Sequence, residues 1–152
     1  ECGTDTERAK AGINKTSLAS LGGEVHCFRA GPDVAAEAKA RGVTRAIVSR
    51  ERAAQLPKPC ILAIGNAPTA LVSLEALMEA DKLHPALIIG VPVGFVNVIE
   101  SKENIFAVCE KHHVPAIVAF GRKGGSTIAA AVCNALIYSA AEMLDPTARG
   151  WK

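Results

Sequence analysis

The stretch AIVAFGRKGGST, Ala116–Thr127, is the natural starting point for reading this chain. A β-branched apolar run stops at Gly121, two basic residues and a glycine pair follow, and an Ala-rich helical pattern begins at Ser126. An apolar run bounded by turn residues reads as a buried strand, and such a loop before a helix turns backbone N–H groups toward an anion. The same grammar occurs twice upstream, in CILAIGNAPTAL (Cys60–Leu71) and ALIIGVPVGFVN (Ala86–Asn97).

Strands joined through helices must be parallel if they share a sheet, because a parallel pair needs a long crossover. The three glycine-ended strands then finish on one edge, where ligands of open α/β sheets bind. The expected architecture is an α/β domain of three layers, a mainly parallel sheet with helices on both faces. At 152 residues the chain fits a single domain, residues 1–152, with a real core. It is 49% hydrophobic but only 4% aromatic, which suits parallel strands under closely packed helices.

Working outward, Asp5 is placed to cap a short helix toward Ala11, and Ile13, Leu18 and Leu21 mark further helical turns before Gly22-Gly23. EVHCF (Glu24–Phe28) alternates as a strand does. Gly31-Pro32-Asp33 opens a helix that stops at Gly42, and Thr44 reads as the N-cap of the next, with Ile47, Val48 and Leu56 inward and Pro57 and Pro59 as stops. Behind Pro68, the residues Leu71, Leu74, Leu77 and Met78 form a helical stripe. A later charged amphipathic helix holds Glu100, Lys102 and Glu103 with Ile105, Phe106 and Cys109, and ends at His112-His113. The pattern from Ser126 to Leu144 is apolar on most faces, which marks a core or subunit-interface helix. Asp145-Pro146 ends it before a short tail containing Trp151.

Several function classes drop out. With 17 basic and 15 acidic residues dispersed along the chain there is no polyanion-binding stripe, and aromatics are too few for base stacking, so no nucleic-acid partner is expected. No run approaches the ~20 apolar residues of a membrane span and the first residues lack an apolar leader core, so the chain is read as cytoplasmic, with no membrane partner. Five cysteines without a C-x-x-C pair argue against a disulfide framework or zinc knuckle. Cys109 with His112 or His113 has helical spacing, but histidines in a last turn are favoured by the helix dipole, so no metal ligands are assigned.

What remains is anion chemistry. Arg122 and Lys123 offer two cations, Gly124 and Gly125 exposed amides, and Ser126 and Thr127 hydroxyls. Charge-assisted hydrogen bonds contribute about 1.5–3 kcal/mol, so two or three could fix a carboxylate or phosphate. Nucleotides are disfavoured, since no lysine follows the glycine pair as a P-loop requires and no G-x-G-x-x-G is present. Asn66 and Thr69 flank Pro68 as further donors, and Pro92 and Gly94 could form a wall for a flat apolar ligand.

Five blocks then carry a family resemblance. GINK (Gly12–Lys15), GVTR (Gly42–Arg45), AIGNAPTAL (Ala63–Leu71), GVPVGFVNVIESKE (Gly90–Glu103) and GRKGGSTIAAAVCNAL (Gly121–Leu136) resemble, in the same order, segments of the precorrin-8X (cobalt-precorrin-8) methylmutases. The resemblance implies an isomerase of corrin-ring (vitamin B12) biosynthesis that moves a methyl group from C11 to C12, giving hydrogenobyrinate or cobyrinate. It also implies no added cofactor and a homodimer with the tetrapyrrole near the subunit interface; whether the ring carries cobalt is left open. Carried over by motif, Arg45 supports the proton chemistry, while Asn14, Lys15, Phe95 and Ser101 join the loop residues on the substrate side. The family's general-acid histidine precedes its TDT-like stretch, and none of His26, His84, His112 and His113 occupies that motif. The chain is therefore expected to be N-terminally short relative to the family, with a ring-binding or carrier module as the alternative.

Overall fold

The structure, a computed structural model, describes residues 1–28, 32–43, 45–55, 59–143, 145 and 147. Gly31, Thr44, Leu56, Pro57, Leu144, Pro146 and Trp151 lie outside the described residues, as does the side chain of Ile47.

Five strands form one sheet: β1 (Cys2–Thr4), β2 (Val25–Cys27), β3 (Ile61–Ile64), β4 (Leu87–Gly90) and β5 (Ala116–Val118), in the order β2-β1-β3-β4-β5. Every neighbouring pair is parallel, with Gly3 opposite His26 on one side and Leu62 on the other, Ala63 opposite Ile89, and Ile89 opposite Ile117. Sequence reading expects four of these strands. The fifth, β1, is three residues long with a glycine at its centre, so it offers no periodic run; tertiary pairing on both edges makes it a strand.

Side-chain alternation sorts the helices onto two faces. Leu62, Ile64 and Ile88 point to the face covered by α5 (Pro68–Glu79) and α6 (Val98–Lys111), where they pack with Leu71, Leu74, Met78, Ile105, Val108 and Cys109. Ala63, Ile89 and Val91 point to the other face, against Ala129, Ala130, Cys133 and Ile137 of α7 (Ser126–Ala140). Ile13 closes that core beside α1 (Glu7–Gly12) and α2 (Lys15–Ser20). Alanine on the inner face of α7 lets the helix lie close to the sheet, while Ile128 and Leu136 remain exposed on its outer side. The three-layer α/β expectation matches this arrangement.

A smaller core, Val34, Ala38 and Val48, joins α3 (Pro32–Arg41) to α4 (Arg45–Ala54). Arg52 reaches Asp33 and Glu37 across this pair, and Arg41 reaches Glu37 and Glu51. The Arg52 guanidinium beside them holds the Asp33 and Glu37 carboxyls below the usual carboxylate range.

Three local expectations change. The cap of α1 is Thr6, whose hydroxyl accepts from the Ala9 N–H, because the Asp5 carboxylate is engaged elsewhere. α7 begins at Ser126 as expected, with Gly125 at φ 130° as its cap, but it ends at Ala140 and does not run to Leu144, the chain turning where Glu142 takes a left-handed φ of 57°. Lys102 does not share the solvent face of α6 with Glu100 and Glu103; it is completely buried.

Candidate active site at the carboxyl edge of the sheet

Parallel strands deliver the loops after β1, β3, β4 and β5 to one edge. Packing between them is close enough to be seen at three glycines. A Cβ on Gly65, after β3, would fall 2.7 Å from Ser126 Cα, and one on Gly124 would fall 2.1 Å from the Val91 carbonyl oxygen. At Gly94 the nearest atom is Pro68 Cγ, 3.6 Å away. Backbone hydrogen bonds stitch the same loops, Gly125 N–H to Val91 O at 2.8 Å and Val93 N–H to Asn66 O at 3.3 Å. The Thr6 and Ser126 hydroxyls meet at 2.9 Å, tying the β1 loop to the start of α7.

The β3 loop is not an empty anion cradle. Asp5 occupies it: one carboxylate oxygen accepts from Gly65 N–H at 3.0 Å, and the other from Asn66 and Ala67 N–H at 2.9 and 3.1 Å. This buried carboxylate does at the strand edge what a bound anion does at a helix N-terminus. The expected ligand site in that loop is thereby reduced to the exposed side chains of Asn66 and Thr69.

The β5 loop is organised from beneath. Lys102 of α6 donates to Gly121 O at 2.8 Å and Lys123 O at 2.7 Å, fixing the backbone on either side of Arg122. Burial pushes this ammonium below the ordinary lysine range. The Arg122 and Lys123 side chains stay exposed, and among the described residues neither forms an ion pair. No side chain caps α7, so its first-turn N–H groups keep their capacity for an external acceptor. Beside this positive loop stands an apolar lip. Pro92 is buried beneath it, while Phe95 is 88% and Val96 76% exposed.

The sequence-selected residues therefore divide. Asn66, Thr69, Pro92, Gly94, Phe95, Arg122, Gly124, Gly125, Ser126 and Thr127 all lie on the loops of this edge or the first turns that follow them. Ser101 follows on α6 but is buried, with its hydroxyl donating to Val98 O in its own helix at 3.1 Å. Asn14 is elsewhere, because its polar groups are used to cap α2 and to hold α7: Oδ1 accepts from Ser17 N–H, Nδ2 donates to Tyr138 and its own N–H donates to Asn134. Asn134 is eight positions beyond Ser126, about 12 Å along the helix. Lys15 is exposed beside Asn14, its ammonium donating to Lys10 O. Arg45 is exposed at the first position of α4, outside the four loops.

Comparison with known proteins gives the family and the fold. The sequence model of the precorrin-8X methylmutase family matches residues 1–139. This chain belongs to the precorrin-8X methylmutase family. The cobalt-precorrin-8 methylmutase of Priestia megaterium is 43% identical over 132 residues, 87% of this chain and 57% of that protein. The Leptospira interrogans cobalt-precorrin-8 methylmutase is 44% identical over 88% of this chain and 62% of its own length. The Pseudomonas aeruginosa precorrin-8X methylmutase is 39% identical over 87% and 62%. A crystal structure of the Thermus thermophilus precorrin-8X methylmutase superposes with a TM-score of 0.79 at 38% identity, covering 93% of this chain and 67% of that one. The chain thus spans about three-fifths of the length of these curated relatives.

Within this methylmutase-family chain the four histidines stand apart from the loop cluster. His26 is in β2 near Glu24, His84 precedes β4 near Asp81, and His112 and His113 end α6, His112 near Glu79. Sequence reasoning missed Asp5 and Lys102. Asp5 had a local alternative as a helix cap, and only the parallel pairing of β1 with β3 brings it to Gly65. Lys102 sits between Glu100 and Glu103 in the sequence and reads as surface, and no local pattern marks it as buried.

Proposed function

We propose that the chain is the ring-binding body of a methylmutase that shifts a methyl group from C11 to C12 of precorrin-8X or cobalt-precorrin-8. Family membership supports the reaction class, and one structural observation carries the reading to this site: a positively charged loop set against an exposed apolar lip at the edge where four loops converge. A tetrapyrrole ringed by carboxylates asks for that combination, a flat apolar surface with cationic points at its rim. In this reading Arg122 and the first-turn amides of α7 hold a ring carboxylate, Phe95 and Val96 cover part of the ring face, and Asn66 and Thr69 supply neutral donors.

Holding the macrocycle in a reactive geometry is a large share of such catalysis, and protonation of the ring by a general acid contributes typically about 10²–10⁴-fold. Because no histidine of this chain belongs to the loop cluster, the binding function is assigned to these loops and the acid to no residue of theirs. The protein acts in the cytoplasm, and a homodimer places two such edges in one particle. Incubation with precorrin-8X, followed by absorption, tests the assignment. Conversion to the hydrogenobyrinate spectrum is the expected result for an intact methylmutase; binding without conversion leaves a corrinoid-binding module, and the absence of both binding and conversion would reject the proposal.

A further inference from the structure

We infer that Lys102 is the positioning residue of the carboxylate clamp, a buried ammonium that shapes the Gly121–Lys123 backbone and leaves the loop without a paired anion until an anionic ligand arrives. The inference rests on the corrinoid reading above and deepens it.

Lys102 is 0% exposed, and its two hydrogen bonds go to carbonyl oxygens, Gly121 O and Lys123 O. Among the described residues no carboxylate pairs with it. Removing an ammonium from water without a counter-charge is costly, and a neutral amide could tie the same two carbonyls at far lower desolvation cost. Helix stability does not call for the charge either. Lys102 is the fifth residue of α6, close to the end where the helix dipole disfavours a cation.

The surroundings compound the imbalance. Arg122 and Lys123 add two cations on the same short loop, and the uncapped start of α7 adds the positive end of a 15-residue helix. The buried carboxylate of the neighbouring loop, Asp5, already takes three N–H groups as its partners. Among the described residues none of these three cations is ion-paired with a carboxylate, and a ligand that brings an anion supplies the missing partner. The charge on Lys102 then favours a carboxylate at the clamp over a neutral group of the same shape.

Absorption titration with two ligands separates this role from a merely structural one. The ligands are hydrogenobyrinic acid and its fully methyl-esterified form, and the proteins are wild type, Lys102→Gln, Lys102→Met and Lys102→Arg. The expected result is that Gln and Met weaken binding of the acid by at least about tenfold while ester binding moves less than about twofold, and that Arg restores most of the acid affinity. Ester binding doubles as the check that the site has folded. Equal loss of acid and ester, undiminished acid binding by Lys102→Gln, or failure of all three variants to fold would overturn the inference. If wild type binds neither ligand, the corrinoid reading itself fails, which is a separate outcome from a wild type that binds and is indifferent to Lys102.

Discussion

Asp5 ties the β1 loop to the β3 loop, since its one carboxylate accepts from three backbone amides. Asp5→Ala leaves those donors buried or half-buried without a partner and is expected to destabilise the fold by at least about 2 kcal/mol in urea unfolding. Asp5→Asn, which turns one acceptor into a donor facing N–H groups, should lie between wild type and Ala. Gly124 is constrained differently: its φ of 155° and the 2.1 Å approach of a Cβ to the Val91 carbonyl leave no room for a side chain. Gly124→Ala should displace the β5 loop, abolishing ligand binding while far-UV circular dichroism stays near wild type. Thiol chemistry offers a third check. Burial pushes Cys60 up to about 12 and Cys109 up to about 11, so both should resist iodoacetamide in the native protein at neutral pH and react once it is unfolded, as peptide mass mapping would record.

At the scale of elements, the β5 loop and α6 act as one unit through Lys102. Its folded-state pKa is depressed below the ordinary value of 10.5, so the folded chain releases this proton before the unfolded chain does. The unfolded state then binds more protons, and stability attributable to this group rises with pH from its folded pKa toward 10.5. The difference in unfolding free energy between wild type and Lys102→Met should accordingly move in favour of wild type across that alkaline window. A flat difference would mean that Lys102 is not desolvated. Legibility in the sequence follows the same line. Units of strand, glycine loop and helix are readable because period and punctuation are local; β3, β4, β5, α5 and the start of α7 fall where their patterns put them, whereas α7 stops at Ala140 and not at Leu144. Lys102 and Asp5 were unreadable because their roles are set by partners on other elements, which charge patterning along one helix or one turn does not record. Asn14 shows the same limit, since motif likeness pointed to the substrate side while its bonds to Asn134 and Tyr138 on α7 are set by a partner far along the chain.

For the whole molecule, the sheet order β2-β1-β3-β4-β5 places a change of winding direction between β1 and β3, the place where open α/β sheets form their crevice. Here the protein fills that point with its own Asp5, and open binding capacity shifts along the edge to the β4 and β5 loops. The proposed ligand surface is thus the span from Phe95 to Arg122 and the start of α7. The most direct test is an absorption titration of the chain with hydrogenobyrinic acid, run in parallel on Arg122→Ala. A saturable spectral change is expected for wild type, with binding weakened by about tenfold or more in the variant, the effect of losing one charge-assisted contact. No spectral change with wild type, or identical titrations for both proteins, would contradict the proposed surface.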